Sequence, residues 1–109
     1  MTAKGKFNRG EESLFMSRVR MIAEANNWLY YHTADSRRSP PGYPDITLAR
    51  GDTVILAELK SRKGRVTKDQ RRWISTLKGC NNVECYLWRP DDMGYITRRL
   101  VDGPILPHM

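Results

Sequence analysis

Apolar residues in the first third of the chain recur with a helical period. Phe15, Met16, Val19, Ile22, Ala23 and Asn26 fall three and four apart, with Glu12 on the same stripe. This predicts a helix from Glu11 that stops at Asn26-Asn27. The pattern then changes. Residues 28–33 are aromatic-rich and read as a first strand, and the prolines and glycine of 35–44 make a loop. Residues 45–49 form a short second strand, Arg50-Gly51-Asp52 a tight turn, and 53–60 an apolar third strand. A basic loop around Gly64 follows. Thr67 then opens a second helix, with Trp73, Ile74 and Leu77 as its buried stripe and Gly79 as its cap. Residues 83–88 read as a fourth strand. From Pro90-Asp91 a short helix runs through Leu100, with a hairpin as the alternative because Gly94 is a poor helix former.

The order helix, three strands, helix, strand predicts an α/β fold in one domain, a mixed central sheet flanked by helices. The chain of 109 residues has room for one core. Residues 1–9 are polar and basic and are expected to form a mobile tail, 10–101 the domain, and 102–109 a second tail.

A formal net charge of +7 points to a polyanionic partner, because Lys and Arg displace counterions from nucleic-acid phosphates. Charge is silent about catalysis. Cys80 and Cys85 have no second cysteine pair nearby, and His32 and His108 are distant in sequence. They are read as thiols in a reducing compartment, not as zinc ligands. No apolar run approaches the ~20 residues of a membrane span, and the basic N-terminus leads into no apolar signal region. A soluble cytoplasmic protein with no membrane partner is expected.

Candidate chemistry gathers at one edge of the strand pair. Glu58 and Lys60 are two apart at the end of the third strand and project from one face; across a tight hairpin they meet Asp45 at the start of the second. Two carboxylates held together repel, and a hard divalent cation relieves that repulsion; oxygen ligands suit Mg²⁺ or Mn²⁺. Such a cation would bind a phosphate oxygen and acidify a water, with Lys60 beside it. On spacing alone, a surface salt bridge accounts for the same three residues equally well.

Four pieces in order, Gly42-Tyr43-Pro44-Asp45, Glu58-Leu59-Lys60, Gly64 and Gln70-Arg71-Arg72-Trp73, resemble the virus-type replication-repair nuclease (VRR-NUC) domain of the PD-(D/E)XK nuclease superfamily. The resemblance covers about residues 11–100. It implies a restriction-endonuclease-like αβββαβ core and a metal-dependent DNA endonuclease. Asp45, Glu58 and the backbone carbonyl of Leu59 would ligate Mg²⁺ or Mn²⁺, and Lys60 would be the catalytic lysine. Gln70 would face the site, and Glu12 would support the metal directly or through water, with Glu11 as a rival for that role. Compact members of the family look like phage enzymes, so host cytoplasm, branched or Holliday-junction DNA and a homodimer are what the resemblance suggests.

Other readings stand beside these. Thr67-Lys68-Asp69-Gln70 is also a capping-box pattern, which would turn Gln70 back to its own helix. Trp73 is expected in the core, and Tyr30, Tyr31 and Trp88 in strand packing. Arg37 and Arg38 before Gly42, and Arg62, Lys63, Arg65, Lys68, Arg71 and Arg72 after the Glu-X-Lys strand, are candidates for phosphate contact. Gly42 and Gly64 would let backbone approach phosphates or simply make turns. The rival functions are a catalytically inactive nucleic-acid-binding module and a restriction-like, sequence-specific nuclease.

Overall fold

A tight hairpin is the centre of the fold. In the computed structural model, which describes residues 9–33 and 38–102, β2 (Ile46–Arg50) and β3 (Thr53–Leu59) pair antiparallel from Arg50↔Thr53 to Ile46↔Ala57. Gly51, at φ +61, takes the left-handed conformation that a two-residue loop needs and that costs glycine little. β1 (Leu29–His32) adds antiparallel to β2, and β4 (Val83–Trp88) adds parallel to β3, so the sheet is mixed with order β1-β2-β3-β4. A parallel neighbour requires a crossover, which α2 (Lys68–Lys78) supplies.

The pleat sends alternate residues to opposite faces, and the two faces differ. Ile46 and Leu48 of β2, Ile55, Ala57 and Leu59 of β3, and Trp88 of β4 join Phe15, Val19 and Ala23 of α1 (Arg9–Ala25) and Ile96 and Leu100 of α3 (Met93–Asp102) in one core. Burying each large apolar side chain contributes on the order of 1.5–3 kcal/mol. The other face of β3 carries Leu56, Glu58 and, just past the strand, Lys60, under a helix α2 that buries no residue fully.

The sequence-based elements recur with small shifts. Asp45 lies one residue before its strand, Lys60 one after, and α1 ends where Asn27 turns left-handed at φ 69. Pro90–Asp92 form a 3-10 turn that leads into α3, so the last element is a helix and not a hairpin; Gly94 sits exposed on it. Arg9 and Asp102, expected in tails, are helical, and the rest of both expected tails lies outside the described residues.

Two packing expectations fail. Trp73 is 37 % exposed, and Ile74 and Leu77 are half-buried. The stripe on α2 is there, but the helix lies over a face that carries Glu58 and Lys60, and none of its residues is fully buried. Tyr31 and Leu29 are exposed on the outer strand β1, while Tyr30 is half-buried and Trp88 is core. Both cysteines are free thiols, Cys80 exposed and Cys85 buried. Among the described residues no helix is long and apolar enough to cross a membrane.

Candidate active site

Extending the β2–β3 register by one residue puts Asp45 opposite Glu58, where side chains of an antiparallel pair share a face. The Asp45 carboxylate accepts a hydrogen bond from the backbone N–H of Leu59 through Oδ2 at 2.8 Å, and the Asp45 carbonyl accepts from the N–H of Thr33 at 3.4 Å. Its position is therefore fixed from both neighbouring strands. Lys60 extends the parallel pairing by donating its N–H to the Trp88 carbonyl at 2.9 Å. Its ammonium comes back to Glu58, Nζ to Oε2 3.6 Å, with both side chains almost wholly buried.

Glu58 is 3 % exposed, and its Oε1 has no hydrogen-bond partner among the described residues. Burial raises the pKa of this carboxyl most, the nearby Asp45 charge raises it further, and Lys60 offsets only part, so it is pushed up to about 8. Near neutral pH, in the absence of a cation, it carries a proton.

Gln70 reaches the same carboxylate. Its Nε2 donates to Glu58 Oε2 at 2.9 Å, while its Oε1 accepts the Thr67 N–H at 2.9 Å and its own N–H goes to Thr67 Oγ1 at 3.1 Å. The capping box and the site contact, alternatives in the sequence, coexist. Each end of the amide does one of them.

These groups line a cavity of about 710 Å³ with Glu12, Gly42, Tyr43, Gly64, Arg65 and Trp73. Gly42 is at φ +102, and a Cβ there would stand 2.7 Å from the backbone of Asp69, so this glycine both makes its turn and lets the loop lie against the start of α2. A Cβ on Gly64 would meet the Ser61 hydroxyl at 2.8 Å. Glu12 faces this cavity, whereas Glu11 lines a second hollow of about 330 Å³ with Leu14, Arg18, Arg62 and Lys63.

The basic residues divide. Arg65 lines the cavity; Arg38, Lys68, Arg71 and Arg72 are exposed, with Arg71 also donating to the Val66 carbonyl at 3.4 Å. Arg62 pairs with Asp91 at 2.8 Å beside the second hollow that Lys63 also lines, and neither basic residue lines the cavity of Asp45, Glu58 and Lys60. Arg37 lies outside the described residues.

Sequence reasoning missed Arg89. Its Nη1 donates to the carbonyls of Ser61 at 2.6 Å and Gly64 at 2.9 Å, holding the loop after Lys60 in shape. Its place after a strand gave no signal of a partner 25 or more residues earlier in the chain. Ser61, buried with its hydroxyl unpartnered among the described residues, and the exposed pair Tyr43–Trp73 were also not singled out as site residues.

Asp45 and Glu58 bring together two acids that repel, one of them with a carboxylate oxygen that has no hydrogen-bond partner among the described residues. That chemistry fits a hard divalent cation. Among the described residues no three His, Cys, Asp or Glu side chains converge, so Glu12 faces the cavity without joining the pair.

A family model described as the VRR-NUC domain matches residues 7–89. No curated protein and no solved structure matches the chain.

Proposed function

Because the chain belongs to the VRR-NUC family and carries its nuclease domain, we propose that it is a divalent-metal-dependent endonuclease. It hydrolyses DNA phosphodiester bonds, favours branched or four-way-junction DNA and works as a homodimer, which brings two sites to paired strand cuts. The observation that carries this reading is the meeting of Asp45, Glu58 and Lys60 in one cavity, with one Glu58 oxygen unpartnered.

Asp45, Glu58 and the Leu59 carbonyl would hold Mg²⁺ or Mn²⁺, with Glu12 supporting them through a water. When bound, the cation supplies positive charge to a phosphate oxygen and acidifies a water. The Lys60 ammonium, already beside Glu58, holds the attacking water or balances the negative charge that grows on the phosphate. Gln70 keeps Glu58 Oε2 in place by its amide hydrogen bond. Arg65, Lys68, Arg71 and Arg72 follow the phosphates at the cavity; Arg38, Arg62 and Lys63 add charge farther out, and Arg37 is proposed with them.

The test is a cleavage assay on supercoiled plasmid, linear duplex and four-way-junction DNA, with Mg²⁺, with Mn²⁺ and in chelator. Cutting that depends on the cation and favours the junction is expected. Cutting in chelator would overturn the mechanism, and binding without any cutting would leave a nucleic-acid-binding module.

A further inference from the structure

Tyr43 and Trp73 stand together on the wall of the catalytic cavity. Their ring centroids are 5.1 Å apart at an interplanar angle of 83°, and they remain 45 % and 37 % exposed. In an edge-to-face pair the ring that presents its edge uses neither of its faces on its partner. Two large aromatics left open to water contribute little to a core, and Trp73 stands on a helix that buries no residue fully. Arg65 shares the cavity wall with the acids of the site, and Lys68 and Arg72 are exposed on the helix that carries Trp73, with Asp69 one turn before Trp73 on its own face.

The pair is also rigidly placed. Gly42 lies against the backbone of Asp69 so closely that a Cβ would not fit, which anchors the Tyr43 loop on the first turn of the Trp73 helix. Gln70, one turn before Trp73, is hydrogen-bonded to Glu58. The aromatic pair and the carboxylates are thus fixed in one frame by two adjoining contacts.

Fixed, exposed aromatic rings beside cationic side chains are the chemistry that holds unpaired nucleobases, because every base has a π-face to stack while its phosphate meets the cations. Bases inside a duplex are already stacked and offer no such face. We propose that Tyr43 and Trp73 form a stacking platform for an unpaired nucleobase of the DNA strand in the cavity, so that among branched substrates the enzyme favours those with an unpaired base next to the scissile phosphate over fully paired junctions. The proposal deepens the nuclease reading and rests on it for the position of that phosphate; the base contact itself is measurable without cleavage.

The protein carries its own probe. Of its three tryptophans, Trp28 and Trp88 are buried at 3 % and 1 % exposure, so quenching of emission by a bound strand reports Trp73. The full chain in chelator is titrated with a mixed-sequence single strand of about ten nucleotides, with the same strand made abasic and with a blunt duplex. The abasic strand keeps its phosphate charge and loses every base that could stack. The intact strand should therefore bind roughly 10-fold more tightly and quench strongly, while the abasic strand and the duplex bind with little quenching. Trp73→Leu and Tyr43→Leu should each weaken the intact strand by roughly 5- to 50-fold and change duplex binding less than about twofold. If the pair only pins the loop to the helix, the abasic strand will bind and quench as the intact one does, and the proposal is overturned. Quenching without any metal-dependent cleavage would keep the platform and remove the nuclease mechanism; cleavage with no quenching at saturation would do the reverse.

Discussion

On the face of the sheet against α1 and α3, charged side chains meet opposite charges, carbonyls or a ring; on the face under α2, two acids, Asp45 and Glu58, are set side by side, with the Lys60 ammonium beside the buried Glu58. Arg50 donates to the carbonyls of Asn26 at 3.0 Å and Leu100 at 2.9 Å and lies 4.3 Å over the Trp28 ring. Arg99 grips both oxygens of Glu84 at 2.7 and 2.6 Å, leaving one of its own nitrogens unpartnered, and also faces Trp28 at 5.6 Å. Burial alone would raise the Glu84 carboxyl, but hydrogen bonds from Arg99 and Tyr86 and the Arg99 charge outweigh it, and its pKa falls. At Glu58 the balance has the other sign: burial and Asp45 prevail over Lys60. The same sheet therefore holds an acid in its ionised form on one side and an acid with a raised pKa on the other.

The sharpest way to break this contrast is to remove the reserved chemistry. Asp45→Asn and Lys60→Ala should each lower metal-dependent plasmid nicking by about 10³-fold while the fold and duplex affinity persist. Nicking within about tenfold of the unsubstituted protein would return these residues to an ordinary salt bridge. On the other face, Arg99→Met strands the Glu84 carboxylate and should cost about 2–3 kcal/mol, roughly 10 °C in melting temperature, with cleavage at low temperature preserved. Loss of cleavage in protein that is still folded would mean that the two faces are not separate.

The pH responses sharpen the comparison. The raised pKa of Glu58 means that its acid form suits the cation-free fold: its contribution to stability is complete below pH 4.5 and drains away as pH rises toward about 8. Glu84, with a lowered pKa, contributes above the ordinary carboxylate range and loses its contribution as pH falls through its own value. Glu58→Gln should therefore raise the melting temperature of the cation-free protein by about 5 °C at about pH 8.5 and hardly change it at about pH 5. Binding of Mg²⁺ should release close to one proton at about pH 6.5 and almost none above about pH 9, read by calorimetry in two buffers of different ionisation enthalpy. The same proton count at both pH values would count against Glu58 as a ligand. The smallest effect belongs to Arg62→Ala: its ion pair with Asp91 is more than two-thirds exposed on both sides, so melting should shift by less than about 2 °C.

Much of this was legible in the chain itself, and what was not has a common cause. Two-residue alternation and a tight turn suffice to bring Asp45 to Glu58, because both are properties of the local chain. The stripe on α2 was legible as well, but periodicity names a face without naming what covers it, and Trp73 meets Tyr43 at an open cavity. Arg50 and Arg99 look like surface charges in sequence; Arg99 is buried and Arg50 half-buried because the Trp28 ring and distant partners receive them, and no local pattern encodes that. Glu12 shares the helical stripe of Phe15, Met16 and Val19, which favours it over Glu11 in the sequence, and it is Glu12 that lines the cavity. The Arg89 clamp depends on loop closure, a tertiary fact.

Gln70 joins the first turn of a helix to an acid at the end of a strand, its amide offering an acceptor to one neighbour and a donor to the other. Fraying of that turn and misalignment of the acid are consequently one event. On warming, hydrogen exchange in the first turn of α2 and loss of turnover should advance together, ahead of sheet melting, so the protein would go silent while most of it is still folded.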